Sequence, residues 1–143
     1  YSPALTEVIA GTMMNLGVER GFVVSGEDNM DEFTLTGATT VSEIKDGKVN
    51  TYQVTPEQFG LKRCTIDKLQ GGDGTVNAQI TKDILSGKEK GAKRDIVLLN
   101  AGATLYIGGK AESIEEGMKL AANAIDSGAA VKTMDAMIKA KNQ

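Results

Sequence analysis

The residues richest in chemistry run from Ser25 to Glu32, reading Ser-Gly-Glu-Asp-Asn-Met-Asp-Glu. Glu27, Asp28, Asp31 and Glu32 put four carboxylates within six residues. Such a cluster repels itself unless a cation or hydrogen-bond donors offset the charge. An adjacent Asp31-Glu32 pair on a loop suits Mg²⁺, which takes one or two carboxylates and completes its shell with water and substrate phosphate. The competing reading is a solvated acidic loop without a ligand. There is no histidine and a single cysteine, Cys64. That excludes Ser-His and Cys-His catalysis, imidazole metal sites, cysteine zinc cages and internal disulfides. Any metal must sit on oxygen, which favours Mg²⁺, Mn²⁺ or Ca²⁺.

Three further places carry weaker signals. Gly71-Gly72-Asp73-Gly74 precedes a helical pattern, and backbone N–H groups at a glycine-rich helix start can cradle phosphate. No Lys-Ser/Thr pair follows and GxGxxG is absent, so a turn with Asp73 near an N-cap is the simpler reading. Asn100 interrupts an apolar run and needs hydrogen-bond partners if buried, which reads as a structural anchor. Tyr106 lies near the end of that run, and Lys110 after Gly108-Gly109 reads as a surface lysine. Cys64 follows Arg63, which can lower a thiol pKa, but with no base or second thiol it reads as packing. Met118, Met134 and Met137 read as core fillers.

These residues need elements to position them. Leu5, Val8, Ile9, Met13 and Leu16 share helical spacing over residues 3–17, with Ser2 as N-cap, Pro3 at N1 and Gly17 as C-terminal cap. Phe22-Val23-Val24 follows as a short buried strand, a helix-strand rhythm typical of α/β proteins. Asp46-Gly47 marks a type I′ hairpin turn between strands at residues 40–44 and 48–54, polar enough to be solvated on one face. Thr55-Pro56-Glu57-Gln58 opens a short helix with a capping box, and Phe59-Gly60 ends it. A helix over residues 76–86 has Val76, Ile80 and Ile84 on one face and Gly87 as its stop. Residues 94–107 read as a buried helix, because the apolar run is too long for a strand. Ser113-Ile114-Glu115-Glu116 caps a helix over residues 114–127, with Ile114, Met118, Ala121 and Ile125 inward and Gly128 at its end. The last helix covers about residues 130–141, with Met134, Met137 and Ile138 inward. One buried strand and one hairpin leave that strand without partners, so its sheet neighbours are expected elsewhere, as in a fragment.

Length and charge narrow the class. The 143 residues (15.1 kDa) make one unit, long enough to bury a core. Sixteen basic against nineteen acidic residues give a net charge of −3, which argues against a polybasic nucleic-acid or membrane binder. No apolar run is long enough to cross a membrane. Tyr1-Ser2-Pro3 is neither a start methionine nor a signal peptide, so a trimmed or excised chain of a soluble, intracellular protein is expected.

Taken together, several blocks resemble one family. Residues 24–32 (Val-Ser-Gly-Glu-Asp-Asn-Met-Asp-Glu), Thr36-Gly37-Ala38-Thr39 and Val41 look like the central signature of anthranilate phosphoribosyltransferases. Pro56-Glu57-Gln58-Phe59-Gly60-Leu61, Leu69-Gln70-Gly71-Gly72-Asp73 and Asn77-Ala78 continue the match. So do Leu98-Leu99-Asn100-Ala101-Gly102-Ala103, Leu105-Tyr106, Gly109-Lys110-Ala111 and Ala124-Ile125-Asp126-Ser127-Gly128. The blocks cover nearly the whole chain in the family's order.

The resemblance implies a partial nucleoside phosphorylase/phosphoribosyltransferase-type α/β domain with a β-hairpin and several packed helices. It implies transfer of phosphoribosyl from phosphoribosyl pyrophosphate to anthranilate in tryptophan biosynthesis, by a cytoplasmic homodimer without nucleic-acid or membrane partners. The family's Asp-Glu pair falls on Asp31 and Glu32, as Mg²⁺ ligands. Ser25 stands where many relatives have histidine. The family's pyrophosphate loop, Gly-Thr-Gly-Gly-Asp, belongs to an earlier region, as do its phosphate ligands, its anthranilate-contacting arginine and its helical N-terminal domain. Gly71-Gly72-Asp73 corresponds to a later structural loop. The chain thus reads as the C-terminal part of the α/β domain, inactive alone. A pyrimidine nucleoside phosphorylase of the same fold and a non-catalytic scaffold are the alternatives.

Overall fold

A computed structural model describes residues 2–141, so Tyr1 and the expectation drawn from it lie outside the described residues. The order of elements is α1 (Pro3–Asn15), β1 (Gly21–Gly26), β2 (Thr39–Lys45), β3 (Lys48–Val54), two short 3₁₀ turns (Pro56–Phe59 and Ile66–Lys68), α2 (Gly74–Leu85), α3 (Ala92–Ile107), α4 (Ile114–Asp126) and α5 (Ala129–Lys141). The α/β class holds. The ambiguous apolar run is helical, and the hairpin turn has positive φ at both Asp46 and Gly47, 51° and 70°.

The partner of β1 is a correction. β1 is not orphaned: it runs antiparallel to β2, with Val24 opposite Val41, giving a three-stranded sheet in the order β1-β2-β3. Sequence cannot show this, because pairing across residues 27–38 is set by how that loop folds. One sheet face packs Phe22, Val24, Val41, Tyr52 and Val54 into a core with Phe33, Leu35, Ile96, Leu99, Ala103 and Ile114. The other face is covered by α1.

The burial of α1 differs from the apolar stripe. Thr6 and Ala10 are buried, while Leu5, Val8, Ile9 and Leu16 are exposed, Leu16 by 81%. The sheet beneath is lined with hydroxyls. Ser42 Oγ donates to Thr6 Oγ1 at 2.9 Å and lies 2.9 Å from Thr51 Oγ1. A helix pressed on such a face turns its small and hydroxyl residues inward, because larger side chains would hold it off and cost the Ser42–Thr6 hydrogen bond.

α5 departs in the same way: none of its residues is buried, and Met137 and Ile138 are exposed, so only Met118 of the three methionines packs on the core. Val76 of α2 is also exposed, whereas Ile84 is buried in a second core with Leu98, Ala121 and Ile125. α3 and α4 cross through Gly102 and Gly117. Their opposite ends are tied by Arg94, whose guanidinium donates to both oxygens of Asp126 at 3.0 and 3.1 Å. No helix among the described residues is long and apolar enough to cross a membrane.

Candidate functional site

The 27–38 loop joins β1 to β2 and carries all four carboxylates, which separate into two classes. Exposed Glu27 and half-buried Asp28 spend their carboxylates on hydrogen bonds within the loop. Glu27 Oε2 accepts the Ala38 N–H at 2.9 Å, and the Glu27 N–H donates to Ala38 O at 2.9 Å, closing the loop at its neck. Asp28 Oδ2 accepts the hydroxyls of Thr34 (2.5 Å) and Thr36 (2.6 Å), and Oδ1 accepts the Met30 N–H at 3.1 Å. Burial opposes ionisation of Asp28, but these three donors outweigh it and hold its pKa below the ordinary carboxylate value. Asn29 takes a positive φ of 66° at the turn between them.

Asp28 sets a testable acid limit. Its folded pKa lies below the unfolded value of about 3.8. Its stabilisation is therefore complete above that value and is lost as pH falls through the lower, folded one. Asp126, lowered by its hydrogen bonds to Arg94, acts in the same direction. Asp28→Asn is expected to cost about 1–2 kcal/mol at neutral pH, because charge-assisted hydrogen bonds become neutral ones. Thermal melts between pH 7 and pH 2.5 check this: the deficit of Asp28→Asn relative to wild type shrinks as pH falls.

Asp31 and Glu32 form the second class. Asp31 is exposed and Glu32 half-buried. Neither takes part in a side-chain hydrogen bond or salt bridge among the described residues. Burial raises the pKa of Glu32, and the charges of Asp31 and Asp28 raise it further. Both line a groove of about 180 Å³ whose walls come from Phe22 and Val24 of β1 and from Asn100, Ala103 and Thr104 of α3. Uncompensated negative charge at the edge of a groove fits a divalent cation. Two oxygen ligands are what Mg²⁺ takes from a protein when phosphate and water supply the rest. No cluster of three or more metal-ligating side chains exists among the described residues.

Asn100 is an anchor, as its place in an apolar run predicts. Its Oδ1 accepts the Phe33 N–H at 3.0 Å, and its Nδ2 donates to Phe33 O and to Ile96 O, each at 3.0 Å. Ser25 is buried on β1 with an unpartnered Oγ. It pairs with Thr40, and strand alternation puts it on the α1 face, away from the groove that Val24 lines. The glycine loop is structural: Asp73 Oδ1 caps α2 by accepting Val76 N–H at 2.9 Å, and Asn77 brackets the backbone of Gly72. Cys64 packs half-buried, and its thiol pKa is raised by burial and by Asp67, Asp95 and Asp28, while Arg63 pairs with Glu57 instead. Lys110 is exposed.

A cluster the sequence reading missed joins β2, β3 and α3. Glu43 accepts hydrogen bonds from the hydroxyls of Tyr52 (3.1 Å) and Tyr106 (2.8 Å), and Lys45 Nζ donates to Tyr106 at 3.1 Å. Burial, then the Glu43 charge and hydrogen bond, push the Tyr52 phenol pKa upward. The alternation of Glu43 with Val41 on the inward face of β2 was the available signal.

The chain is similar to known proteins along its length. Residues 1–131 match the family described as glycosyl transferase family, a/b domain. The chain is 52% identical over 143 residues to the anthranilate phosphoribosyltransferase of Citrifermentans bemidjiense, covering all of this chain and 40% of that protein. It superposes with a TM-score of 0.86 and 38% identity on the crystal structure of the Thermus thermophilus enzyme of that name, over 94% of this chain and 39% of the other. The Saccharomyces cerevisiae enzyme in complex with PRPP and Mg gives a TM-score of 0.84 at 27% identity, over the same shares of the two chains. The chain thus spans about 40% of the length of such relatives. The resemblance read from the motif blocks is borne out, and the chain belongs to the glycosyl transferase family that this α/β domain defines.

Proposed function

We propose that the chain is the later, C-terminal part of the α/β catalytic domain of an anthranilate phosphoribosyltransferase. The whole enzyme would move phosphoribosyl from phosphoribosyl pyrophosphate to anthranilate, releasing pyrophosphate, as a cytoplasmic homodimer in tryptophan biosynthesis. In this reading Asp31 and Glu32 are the chain's Mg²⁺ ligands. The observation that carries it is the unpaired carboxylate couple at the edge of the β1–α3 groove, within a chain similar throughout to enzymes of that name.

The chemistry suits a site with no histidine. Breaking the bond between ribose C1 and pyrophosphate builds negative charge on the leaving group and positive charge on the sugar. Bound Mg²⁺ supplies charge neutralisation on the pyrophosphate side. Asp31 and Glu32 would hold the ion by their carboxylates, while Glu27 and Asp28, already engaged inside the loop, keep that pair facing outward. Positioning the anthranilate amine at C1 needs groups outside this chain, which contains no Gly-Thr-Gly-Gly-Asp pyrophosphate loop.

The test follows anthranilate by its fluorescence, in the presence of phosphoribosyl pyrophosphate and Mg²⁺. The 143-residue chain alone is expected to leave the fluorescence unchanged, and a full-length protein carrying these residues to consume it. Turnover by the mass-verified short chain would refute its incompleteness. Phosphorolysis of thymidine or uridine by the full-length protein, without loss of anthranilate, would favour the nucleoside phosphorylase instead.

A further inference from the structure

The Asp31-Glu32 dipeptide lies between two fixed points. On one side, Met30 O accepts the Gly26 N–H at 2.9 Å, and the Met30 N–H donates to Asp28. On the other side the backbone of Phe33 is held at both its N–H and its C=O by one side chain, Asn100, from the middle of α3. The first set of contacts is local to the loop. The second crosses 67 residues of sequence and ties the loop to a 16-residue helix.

The Asn100 amide can serve only in the orientation seen. Its oxygen faces an N–H, and its two N–H groups face two carbonyls, Phe33 O and Ile96 O. Reversing it would set donor against donor and acceptor against acceptor. The Ile96 bond locks the side chain against its own helix, so the bracket on Phe33 is rigid. Asn100 also lines the groove that Asp31 and Glu32 border.

We propose that Asn100 is a positioning residue for the Asp31-Glu32 pair: by clamping the Phe33 peptide to α3, it sets the direction of two carboxylates that repel each other and presents them together to a divalent cation. This rests on the reading of that pair as metal ligands. A free dipeptide would splay its charges apart, whereas one clamped at both ends has been oriented before the ion arrives. Residues that orient metal ligands through hydrogen bonds carry about 10–100-fold of metal affinity.

The experiment uses Mn²⁺ with inorganic pyrophosphate as probe on full-length protein carrying these residues, read by calorimetry and by paramagnetic broadening of the selectively labelled amides of residues 31–33, with a metal-free thermal melt for every variant. Wild type is expected to bind Mn²⁺ at this loop and Asp31→Asn to lose it. Asn100→Ala, and Asn100→Leu of nearly the same volume, are expected to melt cooperatively and bind about tenfold more weakly. Ser113→Ala, which removes the N-cap hydrogen bond of α4 away from this groove, is expected to leave the affinity unchanged. Wild-type affinity in the folded Asn100 variants, with loss in Asp31→Asn, overturns the role of Asn100 and leaves the metal pair standing. An equal loss in Ser113→Ala, or failure of both Asn100 variants to fold, shows general support of the fold and also overturns it. No Mn²⁺ effect at residues 31–33 of wild type, or none of Asp31→Asn, overturns the metal pair and this inference with it.

Discussion

Replacing Asp31 and Glu32 together by Asn and Gln is expected to lower kcat/KM for the proposed phosphoribosyl transfer, in a full-length protein carrying these residues, by at least about 100-fold, without loss of folded protein. The size follows from charge: a metal clamp on a departing pyrophosphate contributes several kcal/mol of transition-state stabilisation, and each 1.36 kcal/mol is about tenfold in rate. The sparing of stability follows from the loop. Among the described residues neither carboxylate is hydrogen-bonded, whereas Glu27 and Asp28 are. Burial and two neighbouring negative charges already disfavour ionised Glu32, so neutralising the pair removes repulsion. The metal-free melting temperature is therefore expected to stay level or rise slightly. Steady-state kinetics over a Mg²⁺ series, with a melt of each variant, checks both halves. A drop in melting temperature of several degrees with unchanged kinetics would return the pair to a structural role.

Gly117→Val is expected to be the most destabilising single substitution in the α3–α4 pair, and Gly117→Ala to cost about 2–4 kcal/mol. A Cβ at residue 117 would overlap the carbonyl oxygen of Gly102 and lie 2.9 Å from its carbonyl carbon and Cα. The obstacle is backbone, so no side chain can swing aside. Seen from the other helix, a Cβ at Gly102 would meet Met118 N at 2.7 Å and Ile114 O at 2.8 Å. Either change forces the axes apart and loosens Leu99, Ala103, Ile114 and Ala121 together. Helix propensity works the other way, since Ala is better than Gly in a helix interior by about 1 kcal/mol. The overlap is the larger effect. Urea unfolding of wild type, Gly117→Ala and Gly117→Val gives the order; an Ala variant as stable as wild type would show that the helices can part at no cost.

Much of this molecule was legible in one dimension. Local rules place the hairpin, whose Asp46-Gly47 turn admits few alternatives, and the α4 N-cap, where Ser113 Oγ accepts the Glu116 N–H at 3.2 Å. They also place the α2 cap at Asp73 and the boundaries of most helices. Each depends on residues within a few positions of one another, so the chain's own covalent order carries the information. The motif blocks carried the family, because their order over nearly the whole chain is more specific than any one of them.

Only the tertiary structure decided which faces meet. A helical apolar stripe announces a buried side, yet α1 buries Thr6 and Ala10 because the sheet beneath it is paved with Ser42 and Thr51 hydroxyls. The pairing of β1 with β2, the Gly102–Gly117 crossing and the grip of Asn100 on Phe33 join residues far apart in sequence. The same holds for the carboxylates. By composition Glu27, Asp28, Asp31 and Glu32 are equivalent. Threonine hydroxyls and two backbone N–H groups claim two of them for the loop, and α3 closes the groove that the other two face. Sequence by itself marked residues 27–32 as a dense run of carboxylates. Which carboxylates remain free to bind depends on donors that only the folded chain brings within reach.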